Sequence, residues 1–162
     1  MASRSLVVLP DDSARPILEA IMGASRSLDV KMFVFSARAL LRALVAARRR
    51  GVRVRVMLNP ARRGGEVDNE ATRRALEHGG IEVLDGNPAF ELTHEKSMVV
   101  DEATAFVKSF NWATKNLTET RDYAVVTSHK REVREIADCF DADWHRQAFD
   151  SGEGSRDRKS VV

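Results

Sequence analysis

Apolar and polar residues alternate in blocks along the first half of the chain. Short apolar runs at residues 6–9, 28–35 and 81–84 have the length and composition of strands. In residues 52–58 valines alternate with arginines, which predicts a strand with one polar face near the edge of a sheet. The segments between these runs carry apolar residues at helical spacing, so we expect helices that connect parallel strands.

The second half of the chain begins with a predicted hairpin. Residues 98–100 and 105–107 are apolar runs separated by polar residues, which indicates two antiparallel strands joined by a tight turn. Residues 123–127 form a further predicted strand, and residues 130–149 a final helix with an apolar stripe. The combined pattern predicts an α/β fold in which helices flank both faces of a mixed β-sheet.

Chain length and composition favour a single domain. With 162 residues, of which 43% are hydrophobic, the chain can build one ordinary core. We assign residues 1–149 to this domain and expect a disordered tail at 150–162, where serine, glycine and charged residues dominate. No window approaches the roughly 20 apolar residues of a membrane span, and the N-terminal apolar run is too short for a signal peptide. We therefore expect a cytoplasmic protein without a transmembrane segment.

The charge balance permits an anionic partner without specifying one. The formal net charge is +2 and the sequence pI is about 8.9. Arg62 and Arg63 stand beside two glycines in the longest loop-like stretch, residues 59–68. This composition suits an anion-facing loop, and an ordinary solvated loop fits it equally well.

Four polar residues around the hairpin carry the candidate chemistry. Side chains alternate along a strand, so His94 and Lys96 share one face before the hairpin. By the same rule Ser109 and Asn111 share one face after it. A lysine and neutral donors bind phosphoryl oxygens, while an imidazole attacks phosphorus or transfers a proton, so these residues predict a phosphodiester site. Asp101 lies an odd number of residues from His94 and is expected to cap the turn.

The spacing of these residues resembles a known signature. His94-x-Lys96, followed by Asp101 after four intervening residues, resembles the HKD motif of the phospholipase D superfamily. Ser109-x-Asn111 follows in the order and at the spacing that this family shows. The resemblance implies a phospholipase D-like sheet flanked by helices. It also implies a two-step phosphoryl transfer that uses neither a metal ion nor a cofactor.

The resemblance further implies a role for each residue. His94 is the nucleophile, which forms a phosphohistidine, or the acid that protonates the leaving oxygen. Lys96, Ser109 and Asn111 bind the phosphate. Asp122 orients the imidazole of His94, and this role also has a physical basis, because a carboxylate on one ring nitrogen fixes the tautomer and stabilises the imidazolium.

The number of motifs makes a homodimer the expected state. The two-step mechanism uses two histidines in opposite roles, but His78, His129 and His145 lack a lysine two residues later. A two-fold homodimer places two copies of His94 across one shared site. The alternative is that the chain is one half of a longer enzyme with two motifs.

One residue departs from the family pattern. Lys108 occupies the position before Ser109 where the family usually has glycine, a residue that permits close backbone approach. On a regular strand its side chain points away from that of Ser109. An exposed or partner-facing lysine is the favoured interpretation, and an additional phosphate contact is the alternative.

Nucleic acid is the favoured substrate class. A dimer groove lined by Arg62, Arg63 and Lys115 would hold a phosphate backbone. Phospholipase D or phosphatidyltransferase activity on phospholipid headgroups is the first alternative. A non-catalytic module that binds nucleic acid or a partner protein is the second. The four histidines and Cys139 lack the compact spacing of zinc ligands, so no metal is expected.

Overall fold

The computed structural model describes residues 3–60 and 69–151 of the chain. Within these residues the elements follow in the order β1 (Arg4–Leu9), α1 (Arg15–Gly23), β2 (Ser27–Met32), α2 (Arg38–Arg49), β3 (Arg53–Leu58), α3 (Glu70–His78), β4 (Glu82–Asp85), β5 (Ser97–Val100), β6 (Thr104–Lys108), α4 (Thr114–Thr118), β7 (Asp122–Thr127) and α5 (Lys130–Trp144).

The seven strands form one sheet in the order β1-β7-β6-β5-β2-β3-β4. β2, β3 and β4 are parallel to one another, whereas β5, β6, β7 and β1 extend the sheet by antiparallel pairing. The parallel half follows from the helical crossovers α2 and α3, and the antiparallel half follows from the β5–β6 hairpin. The sheet is therefore mixed.

Helices cover both faces of this sheet. α1, α2 and α3 pack on one face, where the main apolar core lies. The members of this core that are completely buried include Ile17, Ile21, Leu40, Leu44 and Leu76. α5 covers the other face, where Val133 packs against Val99 and Ala105. The predicted α/β fold, with helices on both faces of a mixed sheet, is confirmed.

The β5–β6 hairpin closes with two residues in the left-handed region. Asp101 and Glu102 both have a φ of 54°, and the Ala103 N–H donates to the Val100 carbonyl across 2.9 Å. Two positive φ values are typical of a type I′ turn, whose twist matches that of the paired strands. This tight turn fixes the register of the two strands that lead to the candidate site.

Part of the polar face of β3 is buried beneath α5. Arg55 is only 7% exposed, and its guanidinium donates to Asp29 on β2 across 2.8 Å and to Asp141 on α5 across 2.7 Å. β3 lies one strand from the sheet edge, as its alternating pattern predicts. The expectation that its arginines show a polar face to solvent holds for Arg53 and is wrong for Arg55, because α5 supplies a carboxylate partner.

Two elements are shorter than their sequence patterns predict. α5 ends at Trp144 rather than at residue 149. Arg146 has a φ of 57°, and the Gln147 N–H donates to the Ala142 carbonyl across 2.8 Å. This is the Schellman arrangement that ends many helices. Apolar spacing continues past this point, so the pattern alone extends the helix too far.

β2 ends at Met32, three residues before the predicted end of its apolar run. Beyond it the Asn69 side-chain amide donates to the Phe33 carbonyl, and the Asn69 side-chain oxygen accepts the Phe35 N–H, each across 2.9 Å. Asn69 thus satisfies backbone groups that a neighbouring strand would otherwise pair.

The structure covers only part of what was predicted about the tail, the domain and membrane spans. Apart from residues 150 and 151, the predicted tail lies outside the described residues, and the single-domain assignment stays a prediction. Within residues 3–60 and 69–151, no helix combines the length and apolar character that a membrane crossing needs.

Candidate functional site

The candidate site lies where the ends of four neighbouring strands meet. This border of the sheet runs across the strands, and the term sheet edge refers to it from here on. β5 and β7 run opposite to β2 and β6, so the ends of β2 and β6 lie beside the starts of β5 and β7. His94 and Lys96 precede β5, and Asp122 starts β7. Ser109 and Asn111 follow β6. Strand pairing therefore gathers residues that are far apart in the sequence.

His94 and Lys96 are in direct contact. The Lys96 ammonium lies 3.2 Å from His94 Nδ1 and donates to the His94 carbonyl oxygen across 2.7 Å. The imidazole is exposed, whereas Lys96 is only 5% exposed. Burial lowers the pKa of Lys96, and the negative charge of Asp122 opposes this effect. A buried cation beside an accessible imidazole suits an anionic ligand.

Phe33 forms a wall of the site on the side of β2. Its ring lies 4.7 Å from the His94 ring at an interplanar angle of 57°, and the Lys96 ammonium lies 5.4 Å from its centroid. A cation near an aromatic face is stabilised by the ring electrons. Sequence reasoning missed Phe33, because a phenylalanine in an apolar run carries no signal that separates it from the core.

Ser109 and Asp122 form a hydrogen-bonded group at the start of β7. The Ser109 hydroxyl donates to one Asp122 carboxylate oxygen across 2.8 Å and accepts the Tyr123 N–H across 3.0 Å. The Thr120 hydroxyl donates to the other carboxylate oxygen. Asp122 is thus fixed near Lys96, whose pKa it influences. That Asp122 also orients His94 stays a prediction.

Asn111 is attached to the segment after β2. Its side-chain oxygen accepts the Val34 N–H across 3.1 Å, which leaves the Nδ2 group as the part that can donate to a ligand. The expectation that Ser109 and Asn111 share one face assumes that β6 continues through them. Because β6 ends at Lys108, Ser109 turns toward β7 and Asn111 toward β2.

A cluster of ion pairs anchors the segment that carries His94. Glu95, the next residue, accepts hydrogen bonds from the Lys31 ammonium across 2.9 Å and from the Ser97 hydroxyl across 2.7 Å. Lys31 is completely buried and also donates to Asp143 on α5 across 2.5 Å. Burial pushes the pKa of Lys31 down, but the two carboxylates more than offset it, so the pKa is raised. The available sequence signal was a pair of charged residues, Asp29 and Lys31, inside the predicted strand at residues 28–35.

One group of described residues approaches the geometry of a metal site. Ligand atoms of Glu95, Cys139 and Asp143 lie within 4.8 Å of one another. The Lys31 ammonium already bonds to both carboxylates and supplies their positive partner. Burial raises the pKa of the Cys139 thiol, which disfavours the thiolate that binds metals. The group fits a structural ion-pair cluster better than a metal centre.

Asp101 lies at the opposite edge of the sheet, away from His94. Its carboxylate accepts the backbone N–H groups of Ser25, Arg26 and Ser27 at 3.0, 2.7 and 2.8 Å. These bonds tie the β5–β6 turn to the start of β2. Asp101 therefore contributes to architecture at a distance from the candidate chemistry.

The basic residues proposed as substrate contacts have different surroundings. Lys108 is only 7% exposed, so the favoured interpretation of an exposed or partner-facing lysine is wrong. Its side chain lies on the face of β6 that packs against the main core, as those of Phe106 and Phe110 do. Lys115 is exposed on α4, the helix that follows Asn111. The two arginines at positions 62 and 63 lie outside the described residues.

The sheet edge offers the functional groups that phosphoryl chemistry requires. The accessible imidazole of His94 can attack phosphorus or move a proton, depending on its protonation state. The Lys96 ammonium and the Asn111 amide can neutralise and orient phosphoryl oxygens. Asp122 places a carboxylate close to this cation.

Comparison with known proteins gives a family match that spans the site. Residues 17–144 match the family model described as "Cardiolipin synthase, PLD-like domain". Human mitochondrial cardiolipin hydrolase is 31% identical over 134 residues, which cover 80% of this chain and 50% of that protein. The Xenopus laevis protein of the same name is 28% identical over 141 residues, covering 81% of this chain and 64% of that one. The chain thus spans less than two thirds of the length of these relatives.

Solved structures show the same fold. Nuc from Salmonella typhimurium, a phospholipase D family member, is similar with a TM-score of 0.76 and 26% identity, covering 92% of this chain and 99% of that one. NucT from Helicobacter pylori has a TM-score of 0.77 and 16% identity, covering 88% of this chain and 95% of that one. At the lower identity the likeness concerns the fold alone.

Proposed function

Because the chain belongs to the phospholipase D superfamily, a family of phosphodiesterases, we propose that it hydrolyses phosphodiester bonds without a metal ion, through a phosphohistidine intermediate. The observation that carries the proposal is the contact between exposed His94 and buried Lys96, at the sheet edge that also holds Ser109 and Asn111. The preferred substrate is nucleic acid, and the active unit is a homodimer with one shared site.

The proposed reaction has two steps. His94 attacks phosphorus and forms an N–P bond while the P–O bond to the leaving group breaks, and the leaving oxygen takes a proton from the partner subunit's His94. Lys96 and the Asn111 amide stabilise the charge that develops on the phosphoryl oxygens. In the second step the partner subunit's His94, now neutral, accepts a proton from water as the water oxygen displaces His94 from phosphorus.

An exposed apolar patch supports the homodimer. Leu6, Val107, Tyr123 and Val125 form this sheet-face patch and are 60%, 46%, 51% and 42% exposed. The β1–β7 and β6–β7 registers place Leu6, Val125 and Val107 side by side on the face that also carries α5. Tyr123 directly follows Asp122, so the patch adjoins the candidate site. Contiguous exposed apolar surface of this kind marks association surfaces, and a two-fold axis there would bury it on both copies.

Subunit mixing tests the shared site. Wild-type protein is mixed with increasing amounts of the His94→Ala variant, subunits are allowed to exchange, and hydrolysis of a phosphodiester is measured. With random exchange and a threefold excess of the variant, activity falls to about one quarter of the unmixed value, because mixed dimers carry one histidine. The His129→Ala variant, altered at the far edge of the sheet, serves as the control and leaves the activity additive. Additive activity with His94→Ala would refute the shared site.

Trapping the intermediate tests the chemistry separately. Rapid acid-free quenching of a reaction with labelled substrate should yield protein-bound phosphate that is stable to base and labile to acid, as expected for a phosphoramidate. Label should be lost in the His94→Ala variant, and hydrolysis should persist in EDTA. Hydrolysis that stops in EDTA and resumes with a divalent cation would refute the metal-independent mechanism.

Nucleic acid is the proposed substrate because an exposed lysine, Lys115, lies a few residues beyond Asn111. Lys115 is exposed on the helix that directly follows Asn111, where it can contact a phosphate next to the one being cleaved. Hydrolysis of single-stranded DNA, duplex DNA, RNA and phospholipid vesicles should be compared at several salt concentrations. Salt-sensitive cleavage of nucleic acid, weakened in the Lys115→Met variant, is the expected result.

Phospholipid is the alternative substrate, and a specific observation favours it. Phe90 and Leu92, shortly before His94, are 57% and 42% exposed and provide an apolar margin near the site. The curated relatives are named as hydrolases of the lipid cardiolipin. Preferential cleavage of cardiolipin-containing vesicles in the comparison above would replace nucleic acid with phospholipid. Binding of either substrate without turnover would favour a non-catalytic module.

Two broader predictions belong with this proposal. If this chain alone forms an active homodimer, catalysis does not need a second motif on a longer chain. If the chain is monomeric and inactive, it is better explained as one half of a longer enzyme with two motifs. The cytoplasm remains the expected location, while the relatives' names place them in mitochondria. Fractionation of cells that express the tagged protein distinguishes the two compartments.

A further inference from the structure

Two unsatisfied buried donors lie next to the candidate site. In the described part of the chain, Lys108 Nζ and Trp112 Nε1 are the buried side-chain polar atoms without a hydrogen-bond partner. Lys108 is 7% exposed and Trp112 is completely buried. Buried polar groups are nearly always satisfied, and each exception needs a physical explanation. Lys108 also occupies the position where the family pattern usually has glycine, so its ammonium departs from that pattern.

Lys108 lies directly opposite Lys96 across the β5–β6 pair. The Lys108 N–H donates to the Lys96 carbonyl across 2.9 Å. The register of Ser97 with Val107 places the two lysine side chains on the same face. Lys96 in turn contacts His94. A charge on Lys108 therefore acts on whatever anion Lys96 binds, although Lys108 itself is enclosed by protein.

The surroundings of Lys108 balance its two charge states. Burial lowers its pKa to about 7, an effect that Glu95 opposes and the positive charge of Lys96 reinforces. β7 contributes Ala124 at the facing position, which carries no charge. The Trp112 ring centroid lies 5.2 Å from Nζ and stabilises the protonated form.

We propose that Lys108 is a positioning residue that couples proton uptake to phosphate binding, mostly neutral in the empty site at pH 8 and protonated when an anion is held by Lys96. The inference rests on the proposed phosphate site. The proton comes from solvent, and no covalent bond changes. The empty site thereby carries one of the two adjacent buried lysine charges, near the carboxylates of Asp122 and Glu95. The occupied site carries both lysine charges beside the bound anion.

Sulfate is a suitable probe because it carries no titratable proton near neutral pH. Its binding to the wild-type protein is measured by isothermal titration calorimetry at pH 8, in two buffers that differ in ionisation enthalpy. An adjacent anion raises the pKa of a cation by about one to three, so binding should take up about 0.4 to 0.9 proton at this pH. An uptake close to zero would overturn the role of Lys108 and needs no variant.

Three variants assign the proton. In Lys108→Met the aliphatic stem is kept and the charge is removed, so the proton uptake at pH 8 should lose most of its wild-type value. In Lys108→Arg the charge is permanent, so sulfate affinity should be retained while the uptake is lost. Lys130→Met, an exposed change at the far edge of the sheet, should match the wild type. Unchanged uptake in folded Lys108→Met would refute the proposal.

The same measurements separate this inference from the proposed function. From pH 7.5 to 8.5 the Kd for sulfate should rise by a factor that is about 2.5 to 8 times larger in the wild type than in Lys108→Met, because binding takes up about 0.4 to 0.9 proton on Lys108. Equal slopes would refute the role of Lys108 and leave the phosphate site intact. No sulfate binding by any folded form would refute the phosphate site, and with it the coupling.

Discussion

Replacing Asp101 with alanine is expected to destabilise the fold and leave the chemistry unchanged. Three backbone N–H groups, those of Ser25, Arg26 and Ser27, donate to its carboxylate at 2.7 to 3.0 Å. Burial raises the pKa of Asp101, but these hydrogen bonds outweigh it, so the pKa is lowered overall. From Lys96 to Asp101 the strand spans roughly 16 Å, so this turn is remote from the candidate site.

The size of the effect follows from the number of lost bonds. Each net hydrogen bond contributes about 1 kcal/mol, and the three N–H groups lose their acceptor together, so we expect a loss of about 3 kcal/mol. Alanine is also less well accommodated than aspartate at a φ of 54°. For a chain of this size the loss corresponds to a decrease of about 6 to 12 °C in Tm.

Thermal unfolding followed by circular dichroism measures this loss. Asp101→Asn keeps the left-handed conformation and one acceptor oxygen, so its Tm should lie between those of wild type and Asp101→Ala. Glu102→Ala, an exposed neighbour with the same φ, is the matched control and should remain near the wild type. The folded pKa of Asp101 is depressed, so its contribution is present above about pH 4 and is lost as the pH falls further.

Two results would refute this reasoning about Asp101. An unchanged Tm in Asp101→Ala would show that the cap contributes nothing to stability. Loss of turnover at a temperature where the circular dichroism spectrum is native would place Asp101 in the chemistry. The expected combination is a lowered Tm with the turnover of the folded protein retained.

Three further changes probe the assembly and the ion pairs. Val125→Asp should convert the dimer to a monomer by light scattering, whereas Met22→Asp, on an exposed site of α1, should not; a dimeric Val125→Asp would exclude the sheet-face patch. Lys31→Met leaves two carboxylates without their cation and should cost about 3 to 5 kcal/mol in urea unfolding, and a loss below 1 kcal/mol would contradict the anchor. The hydrogen bond from Arg4 lowers the pKa of Glu132 to about 2, so the wild type should have a higher Tm than Glu132→Gln above about pH 4.5. This difference in Tm should vanish toward pH 2, and a difference independent of pH would contradict the ion pair.

Local patterns predicted the elements more reliably than their ends. The alternation of apolar and polar residues identified the strands, because burial of one or both faces of a strand requires apolar residues at defined positions within a few residues of sequence. The end of α5 depended on the left-handed backbone conformation of Arg146, and arginine is not a residue type that indicates this conformation in a sequence. The end of β2 depended on the side chain of Asn69, which comes from a distant segment.

The sequence alone determined the mixed α/β fold. It also determined that His94 and Lys96 lie on one face, since residues two apart on an extended segment point to the same side. Only the tertiary structure decided what surrounds them. Phe33 reaches His94 because β2 and β5 become neighbours, and Lys108 is buried because its face of β6 covers the core. Such contacts depend on which strands pair and on what packs over them, and no local pattern encodes that choice.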